Sequence, residues 1–238
     1  MNLVIDQGNT FCKLAVFDQD DMIDFVKVEN AKVETLKQTI KHYSVEKAII
    51  SSVSDFSQVE TLLKEMDIPT MLLSHQSVLP IKIKYTTPDT LGLDRIAAAV
   101  GAWKLSPDTS NLIIDLGTCI TYDVMTPQDG FIGGNIAPGL DMRLTAMHRQ
   151  TQNLPLLQRQ DHPNTFGSST NEAMQNGAEK GIIAEINSYM STGYSEYGEL
   201  STFLTGGDAL YFEKKIKNTI FVIPNLLLLG LLEILKNN

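Results

Sequence analysis

Two stretches of the chain end in the same way. Leu3-Val4-Ile5-Asp6 runs into Gln7-Gly8-Asn9-Thr10, and Leu112-Ile113-Ile114-Asp115 runs into Leu116-Gly117-Thr118. In each, a short apolar run with β-branched residues delivers an aspartate and a glycine to a polar turn. A second strand-like run follows, Cys12 to Phe17 or Ile120 to Val124, so each copy reads as a β-hairpin. Such a turn can aim successive backbone N–H groups and a threonine hydroxyl at a phosphate, and glycine lets the phosphate come close. Lys13 adds a cation beside the first turn. Asp6 is placed to hold magnesium through water, because that ion keeps several waters and takes one or two carboxylates. Asp115, with Gly117 and Thr118, can clamp a nucleotide or a cation from the opposite side. A single Asp-x-Gly is a common turn signal; the phosphate reading rests on two copies, one per half. The chain contains neither Gly-x-x-x-x-Gly-Lys-Ser/Thr nor Gly-x-Gly-x-x-Gly, so the P-loop and dinucleotide readings lose their main support.

The elements that must position these turns alternate in type. Val33 to Tyr43 reads as an amphipathic helix, Ala48 to Val53 as a strand, Gln58 to Met66 as a helix and Thr70 to Ser74 as a strand. An Ala-rich helix follows, Asp94 to Leu105. In the second half, Leu140 to Thr151 and Asn171 to Met190 read as helices and Leu200 to Leu204 as a strand. Thr219 to Ile223 is then a strand and the Leu-rich tail a helix that Asn225 can cap, with leucines all round it and hence burial on more than one side. This is α/β alternation in two halves. The turn-rich link Ser106 to Asn111 marks the boundary, giving units 1–108 and 109–238. Gly133-Gly134 with Pro138-Gly139, and Gly206-Gly207-Asp208, read as glycine turns that either support an adenine nucleotide or only let strands reverse. Ala173, Gly177 and Gly181 share one helical face, open to another chain or to the chain's own packing.

Composition narrows the classes. With 43% apolar and 20% charged residues, 238 residues suffice for one large core or two modest ones. A formal charge of −9 repels polyanions, so nucleic acid is not expected as a partner. Cys12 and Cys119 are far apart and at no metal-ligand spacing, which suggests neither a disulfide framework nor a zinc site and fits a reducing compartment. No basic segment precedes Leu3, so no secretory signal is expected. Ile220 to Leu235 is broken by Pro224, Asn225, Gly230 and Glu233 and falls short of the roughly 20 residues a membrane span needs.

In combination the motifs resemble the type III pantothenate kinases, a branch of the actin, Hsp70 and sugar-kinase superfamily, over nearly the whole chain. Asp6-x-Gly8-Asn9-Thr10-x-x-Lys13 is similar to the family's first phosphate loop. Pro88-Asp89-Thr90-Leu91-Gly92-Leu93-Asp94-Arg95 is similar to its Gly-x-Asp-Arg segment. Asp115 to Asp123 and Gly133 to Leu140 are similar to its second loop and following glycine turn, with Cys119 and Asn135 where the family often has alanine. The resemblance implies an α/β fold of two related actin-like (ribonuclease H-like) lobes, each a mixed sheet flanked by helices, with a nucleotide cleft between them. It implies ATP-dependent phosphorylation of pantothenate to 4′-phosphopantothenate in a cytoplasmic homodimer. It also implies ATP contacts from Asp6, Gln7, Gly8, Asn9, Thr10, Phe11, Cys12, Lys13 and Thr118. A pantothenate pocket would be lined by Tyr85, Gly92, Leu93, Asp94, Arg95 and Thr170. Asp94 would accept the proton, Asp115 would hold potassium or ammonium, and magnesium would sit near Asp6.

Each of these side chains also has a plainer role open to it. Phosphoryl transfer has a loose transition state, so positioning and charge neutralisation outweigh a strong base. That suits Asp94 at a helix start, where the dipole favours its ionised form; the alternative is a helix N-cap. Arg95 either binds an anionic substrate or is a solvated surface group. Tyr85 is either a pocket residue or an aromatic packing residue at a strand end. Thr170 stands beside the Ser169-x-x-Glu172 capping pattern and otherwise only helps start a helix. The histidines lie at no ligand spacing. Two other functions stay open: a kinase of the same superfamily for another small alcohol, such as a sugar, and a nucleotide-binding regulator without catalysis.

Overall fold

Strand β1 (Asn2–Gln7) turns back antiparallel into β2 (Phe11–Asp18), as the first hairpin reading requires, and β2 pairs antiparallel with β3 (Asp21–Glu29). The computed structural model describes residues 1–8, 11–29, 33–52 and 56–238. On the other side of β1 lie β4 (Lys47–Ser52) and β5 (Thr70–Leu72), both parallel, giving the sheet order β3-β2-β1-β4-β5. Leu3, Val4 and Ile5 are all 0% exposed, so β1 is buried on both faces. Leu3 and Ile5 face a core shared with α1 (Val33–Lys41) and α2 (Ser57–Glu65) through Leu36, Ile40, Val59, Leu62 and Leu63.

A second sheet repeats this plan. β6 (Ser110–Leu116) pairs antiparallel with β7 (Cys119–Thr126), and β7 with β8 (Gly130–Pro138). β9 (Leu200–Thr205) and β10 (Phe221–Val222) continue in parallel on the far side, so the order is β8-β7-β6-β9-β10. Helices α4 (Leu140–Gln150) and α5 (Thr170–Tyr197) stand between β8 and β9, and α6 (Ala209–Glu213) between β9 and β10. Leu112 and Ile114 of β6 share a core with Leu144 of α4 and Ile182, Ile186 and Met190 of α5.

Helix α3 (Leu93–Leu105) follows β5, and α7 (Leu226–Lys236) follows β10. The chain divides by contacts into Met1–Leu105 with Leu226–Asn238, and Ser106–Asn225. This differs from a split at 108/109 with the second part running to 238: the last helix packs in the first unit, on α3, β1 and β4. Leucines around α7 announced burial but not its address. Two glycines make the packing possible. A Cβ on Gly101 would strike the Leu226 carbonyl oxygen, and one on Gly230 the Ala97 carbonyl oxygen, so the backbones of α3 and α7 are nearly in contact.

Other differences are local. β3 was not expected, because half-buried Met22, Val26 and Val28 alternate with exposed Ile23, Phe25 and Lys27, leaving apolar residues on both faces. Gly133 and Gly134 belong to β8 and not to a turn; Gly133, at φ 150°, sits where the β7–β8 register shifts between Val124 and Met125. Helix α5 runs on to Tyr197 and stops at Gly198, whose φ of 73° suits a helix end. Of the small residues on α5, Gly177 has open space where a Cβ would stand. Among the described residues, no helix is long and apolar enough to cross a membrane.

Candidate active site

In the first hairpin, the Gly8 N–H donates to the Phe11 carbonyl oxygen at 3.0 Å and closes the turn. Asn9 and Thr10, two of the phosphate-loop candidates, lie outside the described residues. The β1–β2 register sets Asp6 opposite Lys13, and Lys13 Nζ lies 3.5 Å from Asp6 Oδ2. Burial lifts the Asp6 carboxyl above its ordinary value; Lys13 pulls it back, and the charge of Asp94 pushes it up again. Asp6 and Asp94 are therefore within electrostatic reach of each other. Gln7 and Gly8 are half-buried and Phe11 is exposed. Cys12 points into the core and its thiol is pushed up to about 11, first by burial and then by Asp6. Only its backbone is offered to a ligand.

The Gly-x-Asp-Arg segment follows a single 3-10 turn, Pro88–Thr90, and buried Leu91. His75 Nε2 lies 2.8 Å from the Leu91 carbonyl oxygen, so this nitrogen carries the proton and donates. No role was foreseen for His75 in the sequence, because its partner lies 16 residues away. Gly92 accepts the first helical bond, from the Ile96 N–H at 3.2 Å, which makes Gly92 and not Asp94 the residue that opens α3. Asp94 sits within the first turn, where its Oδ1 accepts from the Arg95 N–H at 2.8 Å. A Cβ at position 92 would strike that carboxylate, so glycine is what allows Asp94 its place. Asp94 is exposed and Leu93 half-buried.

Arg95 departs from the surface alternative: it is only 6% exposed, and its guanidinium carbon stands 5.8 Å from the centre of the Tyr85 ring. That is within cation–π range. Tyr85 is half-buried and partnered by a cation, which differs from an aromatic lost in the core. The first unit thus gathers Asp6, Lys13, Tyr85, Gly92, Asp94 and Arg95 from β1, β2, the segment after β5 and α3.

In the second hairpin the Gly117 N–H donates to the Cys119 carbonyl oxygen at 3.0 Å. Two glycine turns flank this loop. The Gly139 N–H donates to the Thr118 carbonyl oxygen at 3.0 Å, and a Cβ on Gly139 would strike the carbonyl oxygens of Gly117 and Thr118. On the other side, the Asp208 N–H donates to the Leu116 carbonyl oxygen at 2.9 Å. Gly206, at φ 92°, presses so close that a Cβ would strike the Asp115 carboxylate. Thr118 and Cys119 are exposed, and Asp115 is half-buried at the end of β6. Arg143 secures the Gly139 side: its Nε donates to the Pro138 carbonyl oxygen at 2.8 Å, and its two terminal nitrogens meet the Glu185 carboxylate at 2.8 and 2.6 Å.

Thr170 is the first residue of α5 and is exposed. Beside it the capping pattern forms: Ser169 Oγ accepts from the Glu172 N–H at 3.3 Å, and Glu172 Oε2 accepts from the N–H and Oγ of Ser168, both at 2.8 Å. Among the described residues, no group of three or more histidine, cysteine, aspartate or glutamate side chains could hold a metal. Magnesium in phosphoryl transfer needs no such cage, since one or two carboxylates and the phosphates suffice. A partly buried carboxylate with a cation opposite it, at the mouth of a glycine turn, fits that mode of binding.

A family model described as "Type III pantothenate kinase" matches residues 2–192. A type III pantothenate kinase of Bacteroides fragilis is 41% identical over 100% of this chain and 98% of its own length. Among solved structures, a proposed Baf family transcriptional activator from Campylobacter jejuni is similar with a TM-score of 0.62 at 20% identity, covering 99% of this chain and 98% of the other. A ROK hexokinase from Thermus thermophilus is similar with a TM-score of 0.53 at 14% identity, with the same coverage of both chains. These likenesses show the fold, an actin-like α/β architecture with two mixed five-stranded sheets flanked by helices.

Proposed function

Because the chain belongs to the type III pantothenate kinase family, we propose that it transfers the γ-phosphoryl group of ATP to the primary hydroxyl of pantothenate, giving 4′-phosphopantothenate and ADP at the start of coenzyme A biosynthesis. The observation that carries this reading is the pairing of an exposed Asp94 with a buried Arg95 at the start of α3, within electrostatic reach of Asp6. Arg95 supplies the cation that an acidic protein needs to hold the carboxylate of pantothenate, and Tyr85 steadies that cation from its ring face. Asp94 accepts the hydrogen bond of the alcohol. The new bond joins the hydroxyl oxygen to the γ-phosphorus while the bond to the β-phosphate oxygen breaks, and Asp94 takes the proton late.

The Asp6-to-Lys13 segment, with the Lys13 ammonium, serves as the phosphate-binding loop of this reading, and Thr118 as a further ATP contact. Asp6 would hold magnesium, which when bound would neutralise charge on the phosphate oxygens. Asp115 holds a monovalent cation, potassium or ammonium, and Thr170 contacts substrate. The exposed small residues of α5, Ala173 and Gly177, support a homodimer, and membership of a biosynthetic kinase family supports a cytoplasmic reaction.

ADP release measured with and without pantothenate, in potassium and in sodium, tests the reading. Release that requires pantothenate and is faster in potassium supports it. Release indifferent to pantothenate, or driven by a sugar instead, overturns it.

A further inference from the structure

Between α4 and α5, residues 151–169 form neither helix nor strand, yet the segment is fastened side chain by side chain. Loops of this length in a folded domain are uncommon and usually serve a site. Gln175 and Asn176 of α5 are 7% and 4% exposed. Gln175 Nε2 donates to the Gln158 carbonyl oxygen at 2.7 Å, and its Oε1 lies 2.7 Å from His162 Nε2. Asn176 Nδ2 donates to the Asn164 carbonyl oxygen at 3.0 Å. Buried helix side chains thus take up the backbone of a strap.

What the strap presents between these anchors is Arg159. Its Nη1 donates to Asp208 Oδ1 at 2.5 Å and its Nη2 to Asp141 Oδ2 at 2.7 Å, while the guanidinium carbon stands 5.7 Å from the centre of the Tyr211 ring. The two carboxylates belong to different elements. Asp141 lies in the first turn of α4, two residues past Gly139, which bonds to Thr118; Asp208 follows Gly206, which abuts Asp115, and itself bonds to Leu116. One guanidinium therefore joins the two turns that flank the second hairpin loop.

We propose that Arg159 is a positioning residue for the Asp115–Thr118 loop, locking the Gly139 and Gly206–Asp208 turns at the spacing that loop needs to hold nucleotide and cation. The assignment rests on the reading of that loop as a nucleotide and cation site. The planar fork is what the task requires, because one cation must serve two carboxylates in fixed directions, and a lysine ammonium offers a point charge without that geometry. The Asp208 side chain is 17% exposed and that of Asp141 65%, so the arm to Asp208 is less screened and carries more of the effect.

The test uses the full chain and the variants Arg159→Met, Arg159→Lys, Asp208→Asn and Asp141→Asn. Amide exchange by mass spectrometry over residues 116–119 and 206–209 reads the loop without any assumption about activity, and calorimetric titration of MgATP in potassium reads its use. Arg159→Met is expected to speed exchange at both stretches and to weaken ATP binding about tenfold to a hundredfold, the scale of a small misplacement. The KM for pantothenate should stay within about twofold, since a positioning effect on the nucleotide loop leaves ground-state substrate binding alone. Arg159→Lys should fall between, and Asp208→Asn should weaken binding more than Asp141→Asn. If Arg159→Met does not fold, the lysine variant and Asp208→Asn carry the same comparison. Unchanged exchange at both stretches, or equal losses for ATP and pantothenate with a lowered melting temperature, overturns the proposal. A wild type that binds MgATP but ignores pantothenate sinks the substrate reading and leaves the role of Arg159 to be decided by exchange and titration.

Discussion

The two hairpins share a frame and differ in charge. Counting from the loop aspartates, the registers superimpose: Asp6 faces Lys13 across the antiparallel pair and Ser51 across the parallel one, while Asp115 faces Thr121 and Thr205. The turn glycines close in the same way, Gly8 onto Phe11 and Gly117 onto Cys119, with the second turn one residue shorter. Even the irregularity repeats, since the register shifts after Val16 in one sheet and after Val124 in the other, each three residues past the partner of the aspartate. Where the first hairpin carries a lysine ammonium, the second carries a neutral threonine. One strand beyond, Ser52 ends β4, and its counterpart Gly206 turns left-handed against Asp115. The helices diverge too: α3 opens on Leu93-Asp94-Arg95 and α7 on Leu226-Leu227-Leu228. One frame has been given built-in charge in its first copy and close backbone approach in its second. On the proposed reading, the first copy serves the acceptor and phosphates, and the second a bound cation.

The largest effect should come from the helix start that lacks a counterpart. Asp94→Asn keeps size and removes the proposed proton acceptor, so turnover should fall about 10²–10⁴-fold. Titrated ATP affinity should hardly move. A variant with full turnover would take Asp94 out of the chemistry and the asymmetry of α3 and α7 with it. Next comes Gly206→Ala, which forces a side chain into a left-handed position against Asp115 and the Leu116 backbone. It should cost about 1–3 kcal/mol of stability by thermal melting and lose potassium stimulation. At Gly8 a Cβ would stand 3.3 Å from the Phe11 carbonyl oxygen, a tight contact without such a collision, so Gly8→Ala should be milder. Equal losses at the two glycines would erase the distinction between the copies.

The hairpins were legible in the sequence because each is a local object: a buried run, an aspartate, a glycine and a second run stand in consecutive positions. The start of α3 was legible for the same reason, although the burial of Arg95 was not, since it depends on Tyr85 and on neighbours distant in sequence. What stayed hidden was non-local or broke a period. β8 escaped because Gly133-Gly134 punctuates a strand as it would a turn, and only the β7 pairing settles the matter. The return of α7 to the first unit turns on Gly101 and Gly230, two glycines unremarkable until their helices are set side by side. His75, Arg143 and Arg159 reach partners 16 to 49 residues away, and no spacing rule points to such contacts.

Exchanging the register-matched partners sharpens the comparison directly. Lys13→Thr makes the first hairpin resemble the second, and loss of a charged hydrogen bond to phosphate should raise the KM for ATP about tenfold to a hundredfold. Thr121→Lys makes the second resemble the first. Opposite residues in an antiparallel pair have Cβ atoms about 4.5–5.5 Å apart, so the ammonium can reach Asp115 and stand where potassium would. Rates in sodium and potassium should then converge. A variant still stimulated by potassium to the wild-type extent would show that the cation does not depend on this position.

The smallest effect is expected at Asp6, and its sign reverses with ligand. Burial raises the Asp6 carboxyl above 3.8 and the Asp94 charge adds to it, while Lys13 only partly offsets them. A carboxyl raised by folding favours the native state while protonated, so its contribution is full below the unfolded value and is lost as pH rises through the folded one. At neutral pH the ionised Asp6 therefore costs the nucleotide-free protein stability. Asp6→Asn should melt slightly higher than wild type at pH 7, with the advantage shrinking toward pH 3. Added MgATP stabilises whichever protein binds it, in proportion to the logarithm of ligand over dissociation constant. Wild type should then overtake the variant. An Asp6→Asn protein already less stable than wild type without nucleotide at pH 7 would mean that the pair with Lys13 outweighs burial, and that the first hairpin is held together by the charge it uses.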